Sequence, residues 1–183
     1  MPRTEVVFTG FGGQGIVLSG IILARAALHD KKGVVQTQSY GPEARGGACR
    51  ADVIISDDVV YYPFVEEADI LVAMSQEALD KHISSVRKGG QLIVDLTMVT
   101  KIPQKVGIKL NKVAASDIAL GKLGRVIVAN IVMLGALTSL TGIVSREAME
   151  KAVRESIPRG TEEINLKALE AGYRYSQKHR KKE

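Results

Sequence analysis

Glu5-Val6-Val7-Phe8-Thr9-Gly10-Phe11-Gly12-Gly13-Gln14-Gly15-Ile16 is the stretch that decides the fold. Residues 5–9 are rich in Val and Phe, which predicts a short buried strand. The loop Gly10-Phe11-Gly12-Gly13-Gln14-Gly15 follows, and Ile16–His29 then places Ile, Leu and Ala at helical spacing. Gly33 punctuates the end of that helix, and residues 34–39 predict a second strand. Strand, glycine loop, helix and strand in this order form the Rossmann-like start of a layered α/β fold.

Outward from that unit, Tyr40-Gly41-Pro42-Glu43-Ala44-Arg45-Gly46-Gly47 is marked as a loop by three glycines and a proline. Ala48–Ser56 predicts a third strand, Asp57-Asp58 a turn, and residues 59–62 a short fourth strand. Strands joined by a loop with no room for a helix pair antiparallel, so the sheet is expected to be mixed. Residues 70–74, 91–95 and 107–113 predict further strands. Ser75 is placed to cap a helix running to about Val86, with Glu77 in its first turn and Gly89-Gly90 closing the unit.

The last third reads as helical. Residues 126–140 are apolar nearly all round, which predicts a helix buried on most sides, with Gly142 at its C-cap. Ser145 caps a helix to about Ser156, Pro158 and Gly160 break it, and Thr161 followed by Glu162 and Glu163 starts the last one. The expected architecture is a three-layer α/β/α fold with a mixed, mostly parallel sheet and a helical C-terminal third. Residues 1–183 are expected to form a single domain.

Composition narrows the function. Apolar residues make up 45% and charged residues 25%, the mix of a soluble globular protein. Three Phe, five Tyr and no Trp are too few for a single-stranded nucleic-acid platform. The net charge is +5, but residues 173–183 contribute +4 of it through Arg174, Lys178, Arg180, Lys181 and Lys182 against one acid. The body is therefore no basic nucleic-acid surface, and the tail reads as a solvated helix end. One cysteine, Cys49, can neither make an internal disulfide nor hold an iron–sulfur cluster. It fits a reducing, cytoplasmic location and reads as a small core residue. No signal peptide is visible at the start, and residues 126–140 are too short to span a bilayer.

Two loops are candidates for chemistry. Gly10-x-Gly12-x-x-Gly15 between a strand and a helix lets a ligand approach the backbone, and the helix start favours an anion such as pyrophosphate. The alternative is a tight turn with no ligand. A nicotinamide site needs an acid about 20 residues on, at the end of the second strand. Residues 34–39 hold none, and Asp30 precedes the strand, so NAD is disfavoured. Gln14 sits at the loop apex, where it can face a partner or ligand. In the second loop Arg45 lies beside Gly46-Gly47, with Arg50 at the start of the next strand, a combination suited to phosphate or carboxylate. The alternative there is an interface or purely structural loop. If the first two strands are neighbours, both loops share the sheet edge where α/β proteins bind ligands. The candidate binding residues are Gly12, Gly13, Gln14, Gly15, Gly41, Arg45, Gly46 and Gly47. Asn130, in the apolar helix, reads as a structural hydrogen-bonding residue; Asn165 and His82 carry weaker signals.

No cysteine pair, zinc motif, Gly-x-Ser-x-Gly elbow, Walker lysine or Gly-Asp-Gly stretch is present. No residue is assigned a catalytic role, and a ligand-binding subunit fits better than a free enzyme. A free-standing Rossmann-type dinucleotide-binding protein and a purely structural subunit are the competing readings.

The run Gly10-Phe11-Gly12-Gly13-Gln14-Gly15, together with Gln38-Ser39-Tyr40-Gly41-Pro42-Glu43-Ala44-Arg45-Gly46-Gly47, resembles the gamma subunit of 2-oxoacid:ferredoxin oxidoreductases. Val72-Ala73-Met74-Ser75-Gln76-Glu77-Ala78 and the contexts of Asn130 and Asn165 extend the resemblance over nearly the whole chain. The Ser-Tyr-Gly-Pro-Glu-Ala-Arg-Gly-Gly form looks most like the 2-oxoglutarate branch; the pyruvate, branched-chain 2-oxoacid and related indolepyruvate enzymes are the alternatives. The resemblance implies a complex of anaerobic metabolism that decarboxylates a 2-oxoacid on thiamine diphosphate, passes electrons through iron–sulfur clusters to ferredoxin, and transfers the acyl group to coenzyme A. It implies that thiamine diphosphate, Mg and the clusters lie in partner alpha, beta and ferredoxin-like delta subunits. This chain would bind no cofactor firmly, could help hold coenzyme A, and would be inactive alone. No nucleic-acid or membrane partner is expected, and the isolated subunit is expected to form a homodimer over its partner-facing surface.

Overall fold

Val6 and Phe8 point into one apolar cluster and Val7 into another, so the first strand is buried on both faces. That double burial is why its sequence reads as a continuous apolar run. In the computed structural model, which describes residues 3–40, 48–103 and 107–180, this strand is β1 (Thr4–Phe11), near the middle of a six-stranded sheet. The other strands are β2 (Gly33–Tyr40), β3 (Ala48–Ser56), β4 (Ala68–Ala73), β5 (Val86–Asp95) and β6 (Lys109–Val113), in the order β2-β3-β1-β4-β5-β6. β3 runs antiparallel to both its neighbours, and β1, β4, β5 and β6 pair in parallel. The sheet is thus mixed and mostly parallel, as expected.

The expected adjacency of β1 and β2 is corrected: β3 lies between them. The ends of the two strands still come to one side of the sheet. Two strands that are each antiparallel to β3 point the same way, so the C-terminal ends of β1 and β2 share one edge. Tyr40 and Phe11 both stand at the start of β3, opposite Cys49 and Ala48 respectively.

Helices cover the two faces unequally. The larger cluster packs α1 (Ile16–His29), α3 (Ala115–Leu123), α4 (Ala129–Thr141), α5 (Arg146–Ser156) and α6 (Glu162–Arg180) on one face. The other face carries α2 (Gln76–His82), whose Leu79 joins Val7, Leu71 and Leu92. Each fully buried Leu, Ile or Val contributes roughly 1.5–3 kcal/mol. α4 and α6 cross at a pair of glycines. A Cβ on Gly135 would stand 2.1 Å from Leu169 O, and one on Gly172 would stand 2.0 Å from Val132 O. Only hydrogen fits at either position, so the two backbones meet.

Four local expectations are corrected. Residues 59–62 form no strand; Val59, Tyr61 and Tyr62 are exposed in the connection from β3 to β4, where no neighbouring strand offers a ladder. The helix from Ser75 stops at His82, passes through a 3-10 turn at Ile83–Ser85, and yields to β5 at Val86, whose side chain is buried. Gly89-Gly90 therefore does not end a helical unit. It sits inside β5, where the pairing jumps from Ala68↔Val86 to Ile70↔Gln91 and Gly89 takes φ +81° in a bulge. In the apolar run of residues 126–140, Val126–Val128 is a 3-10 turn with Val126 and Ile127 exposed, and burial begins in earnest with α4.

α3 was not foreseen. Its start is held from a distance by Asp95 at the end of β5, whose buried carboxylate accepts from Ser116 Oγ at 2.5 Å and Ser116 N at 3.1 Å. Thr97 N donates to the same group at 3.1 Å. Burial pushes the Asp95 carboxyl above its ordinary value, against the pull of these donors.

Candidate functional site

The glycine loop leaves β1 at the point where the sheet splits, with β3 and β2 to one side and β4, β5 and β6 to the other. That switch point is where parallel sheets open a crevice for ligands. Phe11, Gly12 and Gly13 are exposed there, and Gly13 takes φ +100° with open space around the position of its absent side chain.

Behind this exposed turn the loop is fixed from two sides. Gln14 Oε1 accepts from Phe11 N at 2.9 Å, and its Nε2 donates to Met74 O at 2.7 Å. One side chain thus ties the end of β1 to the end of β4. A Cβ on Gly10 would stand 2.4 Å from Gln14 Oε1, so glycine there makes room for the tie. The Gln14 amide thus engages two backbone groups and shapes the turn from behind. On the other side Asn130, buried at the start of α4, donates from Nδ2 to Gly15 O at 3.3 Å. A side chain on Gly15, which sits at φ +73°, would strike that amide at 2.4 Å. Asn130 is the structural hydrogen-bonding residue that was expected.

Gly15 is the N-cap of α1, with no side-chain cap and no acid in the first turn. The helix start therefore presents backbone N–H groups and the positive end of its dipole without a built-in counter-charge. Chemically, this edge can hold an anion through main-chain donors.

Arg50 does not join it. Its Nε donates to Asp52 Oδ1 at 2.7 Å, and the residue alternates with Ala51 and so lies on the α2 face. Burial pushes the Cys49 thiol up, consistent with a core residue. Asn165 is occupied within α6, donating to Thr161 O at 2.8 Å. Gly41, Arg45, Gly46 and Gly47 lie outside the described residues; Tyr40 and Ala48 stand on the same sheet edge as the glycine loop.

His82 ends α2 against β3. Burial lowers its ring pKa, the Arg50 and Lys81 cations lower it further, and Asp52 opposes them. The unfolded chain takes up this proton near pH 6.5 and the folded chain resists it. Stability is therefore expected to fall as pH drops from there through the lowered folded value. His82→Gln should flatten that part of the profile in urea unfolding at a series of pH values; equal slopes in both proteins would contradict the assignment.

Sequence reasoning missed the apolar rim of this edge. Phe11 (37% exposed) ends β1, Leu96 (43%) and Met98 (37%) follow β5, and Val126 (56%) and Ile127 (65%) precede α4. Uncovered apolar side chains at this edge are available for contact with a partner. The clue available in sequence was Val126-Ile127, apolar residues ahead of the helix that α4 proves to be.

The family model for pyruvate ferredoxin/flavodoxin oxidoreductase matches residues 5–175. 2-Oxoglutarate synthase subunit KorC of Methanocaldococcus jannaschii is 53% identical over 174 residues, covering 93% of this chain and 92% of the relative. Among solved structures, the gamma subunit of a keto/oxoacid ferredoxin oxidoreductase from Geobacter sulfurreducens PCA is 45% identical with a TM-score of 0.86, covering 96% of this chain and 99% of that one. The same fold recurs in the 2-oxoglutarate:ferredoxin oxidoreductase from Magnetococcus marinus, solved with 2-oxoglutarate, coenzyme A and succinyl-CoA bound. There the TM-score is 0.88 at 21% identity, and the match covers 97% of this chain but 32% of the longer one.

Proposed function

The chain belongs to the pyruvate ferredoxin/flavodoxin oxidoreductase family, and from that premise we propose that it is the gamma subunit of a 2-oxoacid:ferredoxin oxidoreductase of the 2-oxoglutarate branch. The 53% identity to a 2-oxoglutarate synthase subunit and the Ser-Tyr-Gly-Pro-Glu-Ala-Arg-Gly-Gly segment support that branch. The complex oxidatively decarboxylates the 2-oxoacid to an acyl-CoA and reduces ferredoxin, and this subunit is inactive alone. Residues 1–183 serve as one domain of gamma type.

The observation that carries the reading is the uncapped start of α1 behind an exposed glycine turn, on an edge rimmed by uncovered apolar side chains. An anion held by main-chain N–H groups beside an apolar contact surface fits a coenzyme presented at a subunit junction. Coenzyme A, when bound, supplies the thiol that takes the acyl group. Gly12, Gly13 and Gly15 offer backbone to its pyrophosphate, Gln14 and Asn130 hold that backbone in place, and Gly41, Arg45, Gly46 and Gly47 complete the edge with a guanidinium.

In this reading thiamine diphosphate and the iron–sulfur clusters lie outside this chain. It has one cysteine, and among the described residues no group of three or more His, Cys, Asp or Glu could hold a metal. Those groups belong, in this reading, to alpha, beta and ferredoxin-like delta subunits. The reducing environment suggested by a lone buried thiol favours a cytoplasmic complex; among the described residues no helix is long and apolar enough to cross a membrane.

Titration of the complex with coenzyme A and with NAD tests the assignment. Coenzyme A is expected to bind and NAD not to; the reverse would favour a dinucleotide-binding protein. In the same complex Arg45→Ala is expected to raise the KM for coenzyme A about tenfold, the loss of one charge-assisted contact worth about 1.4 kcal/mol, or to weaken assembly. Unchanged kinetics in an intact complex would contradict a role for Arg45.

A further inference from the structure

β2 is the terminal strand of the sheet, paired to β3 without interruption from Gly33↔Ser56 to Tyr40↔Cys49, and among the described residues no strand pairs with its outer side. An open strand edge is a row of backbone donors and acceptors ready to extend the sheet. Proteins block such edges with lysine, proline, bulges or very short strands. β2 uses none of these. Gly33-Val34-Val35-Gln36-Thr37-Gln38-Ser39-Tyr40 has eight residues, no charge, no proline and no bulge. The opposite edge is guarded in the expected way, because β6 is five residues long and carries Lys109 and Lys112. β2 is also held extended from behind: Val34 packs on the core and Gln36 rests against Gly20 of α1. One side chain is known to bond its backbone, Gln36 Nε2 donating to Thr37 O at 2.9 Å.

We propose that the outer edge of β2 pairs antiparallel with the same edge of a second copy, joining two sheets into one. The strand is compatible with itself because nothing on it repels. A pairing centred on Thr37 sets Val35 against Ser39 and Gln36 against Gln38 of the other copy, with the two threonines opposed on the axis, and a Thr–Thr pair stabilises a ladder. The junction leaves the glycine edge free, since that edge lies at strand ends rather than along β2. In the joined sheet the two glycine edges point in opposite directions, each open to its own partner subunits.

The test is the solution mass of the full chain by size exclusion with light scattering. Twice the 19.7 kDa chain mass is expected. Thr37→Lys and Thr37→Glu, each alone, bring like charges together on the axis and are expected to halve the mass. An equimolar mixture of the two is expected to restore it, which a folding defect would not do. Should Thr37→Lys lose the wild-type circular dichroism, Gln38→Lys against Gln38→Glu repeats the exchange with a smaller expected effect, because each Gln38 faces Gln36 and meets the other Gln38 only on the diagonal. A monomeric wild type, variants that stay dimeric, or a mixture that stays monomeric would each overturn the proposal. So would a Thr37→Lys chain that keeps its self-association and loses only its larger partners, because the edge would then belong to a partner's strand.

Discussion

Gly172→Ala is expected to cost roughly 3 kcal/mol of stability, the upper end of the usual range for overpacking, and to lower the Tm by about 6–12 °C for a chain of this length. The added Cβ would stand 2.0 Å from Val132 O, 2.8 Å from Ala136 N and 3.0 Å from Val132 C, all backbone atoms of α4. Backbone in a buried helix cannot swing aside as a flexible side chain can, so α4 and α6 must separate and give up packing along their contact. Gly135→Ala meets Leu169 O at 2.1 Å and should behave the same way. Gly121→Ala in α3 is the control: nothing lies within 4 Å of the new methyl, and alanine is the better helix former by about 1 kcal/mol. Thermal unfolding followed by circular dichroism compares them. A Gly172→Ala protein as stable as Gly121→Ala would show that the helices do not cross as described.

Gly13→Asp is expected to raise the KM for coenzyme A at least about tenfold, a loss of 1.4 kcal/mol or more. It places a carboxylate on the turn proposed to receive a pyrophosphate. Gly13 takes φ +100° in open space, so any side chain there is strained but unobstructed. Gly13→Asn separates the two effects. Asn and Asp are of nearly equal size and both tolerate positive φ better than most residues, so they pay similar backbone costs and differ in charge. Steady-state kinetics on the assembled complex should show Gly13→Asn close to wild type and Gly13→Asp impaired in KM, with the gap narrowing as salt screens the repulsion. Equal effects of the two substitutions would mean that no anion is held at this turn.

Much of the fold was legible because its signals are local. α1 runs over the predicted Ile16–His29 and β3 over the predicted Ala48–Ser56. Ser75 and Ser145 cap the helices they were expected to cap, accepting from Ala78 N and Ala148 N, and Gly142 ends α4 at φ +62°. What was not legible depends on contacts distant in sequence. α3 is held by Asp95, 21 positions upstream, and its own first residues carry no cap. Val86 looks like a helix end until its burial against the sheet is known. The insertion of β3 between β2 and β1 is a choice of pairing partner, which strand patterns alone do not reveal.

The site divides in the same way. A glycine turn with a positive φ between strand and helix could be read from residue types. The direction of Gln14 could not, because it is set by Met74 O, 60 positions away. The grip of Asn130 on Gly15 spans 115 positions. The exposure of Phe11, Leu96, Met98, Val126 and Ile127 was hidden because they look like ordinary core residues until the fold leaves them uncovered.

The most direct test of the central claim is affinity capture of the tagged chain from its native cells, grown and lysed without oxygen, followed by assay of the eluate for dye reduction by 2-oxoglutarate. Co-purifying larger subunits and a viologen reduction that requires both 2-oxoglutarate and coenzyme A are the predicted result. A single band with no partners and no activity would contradict the account.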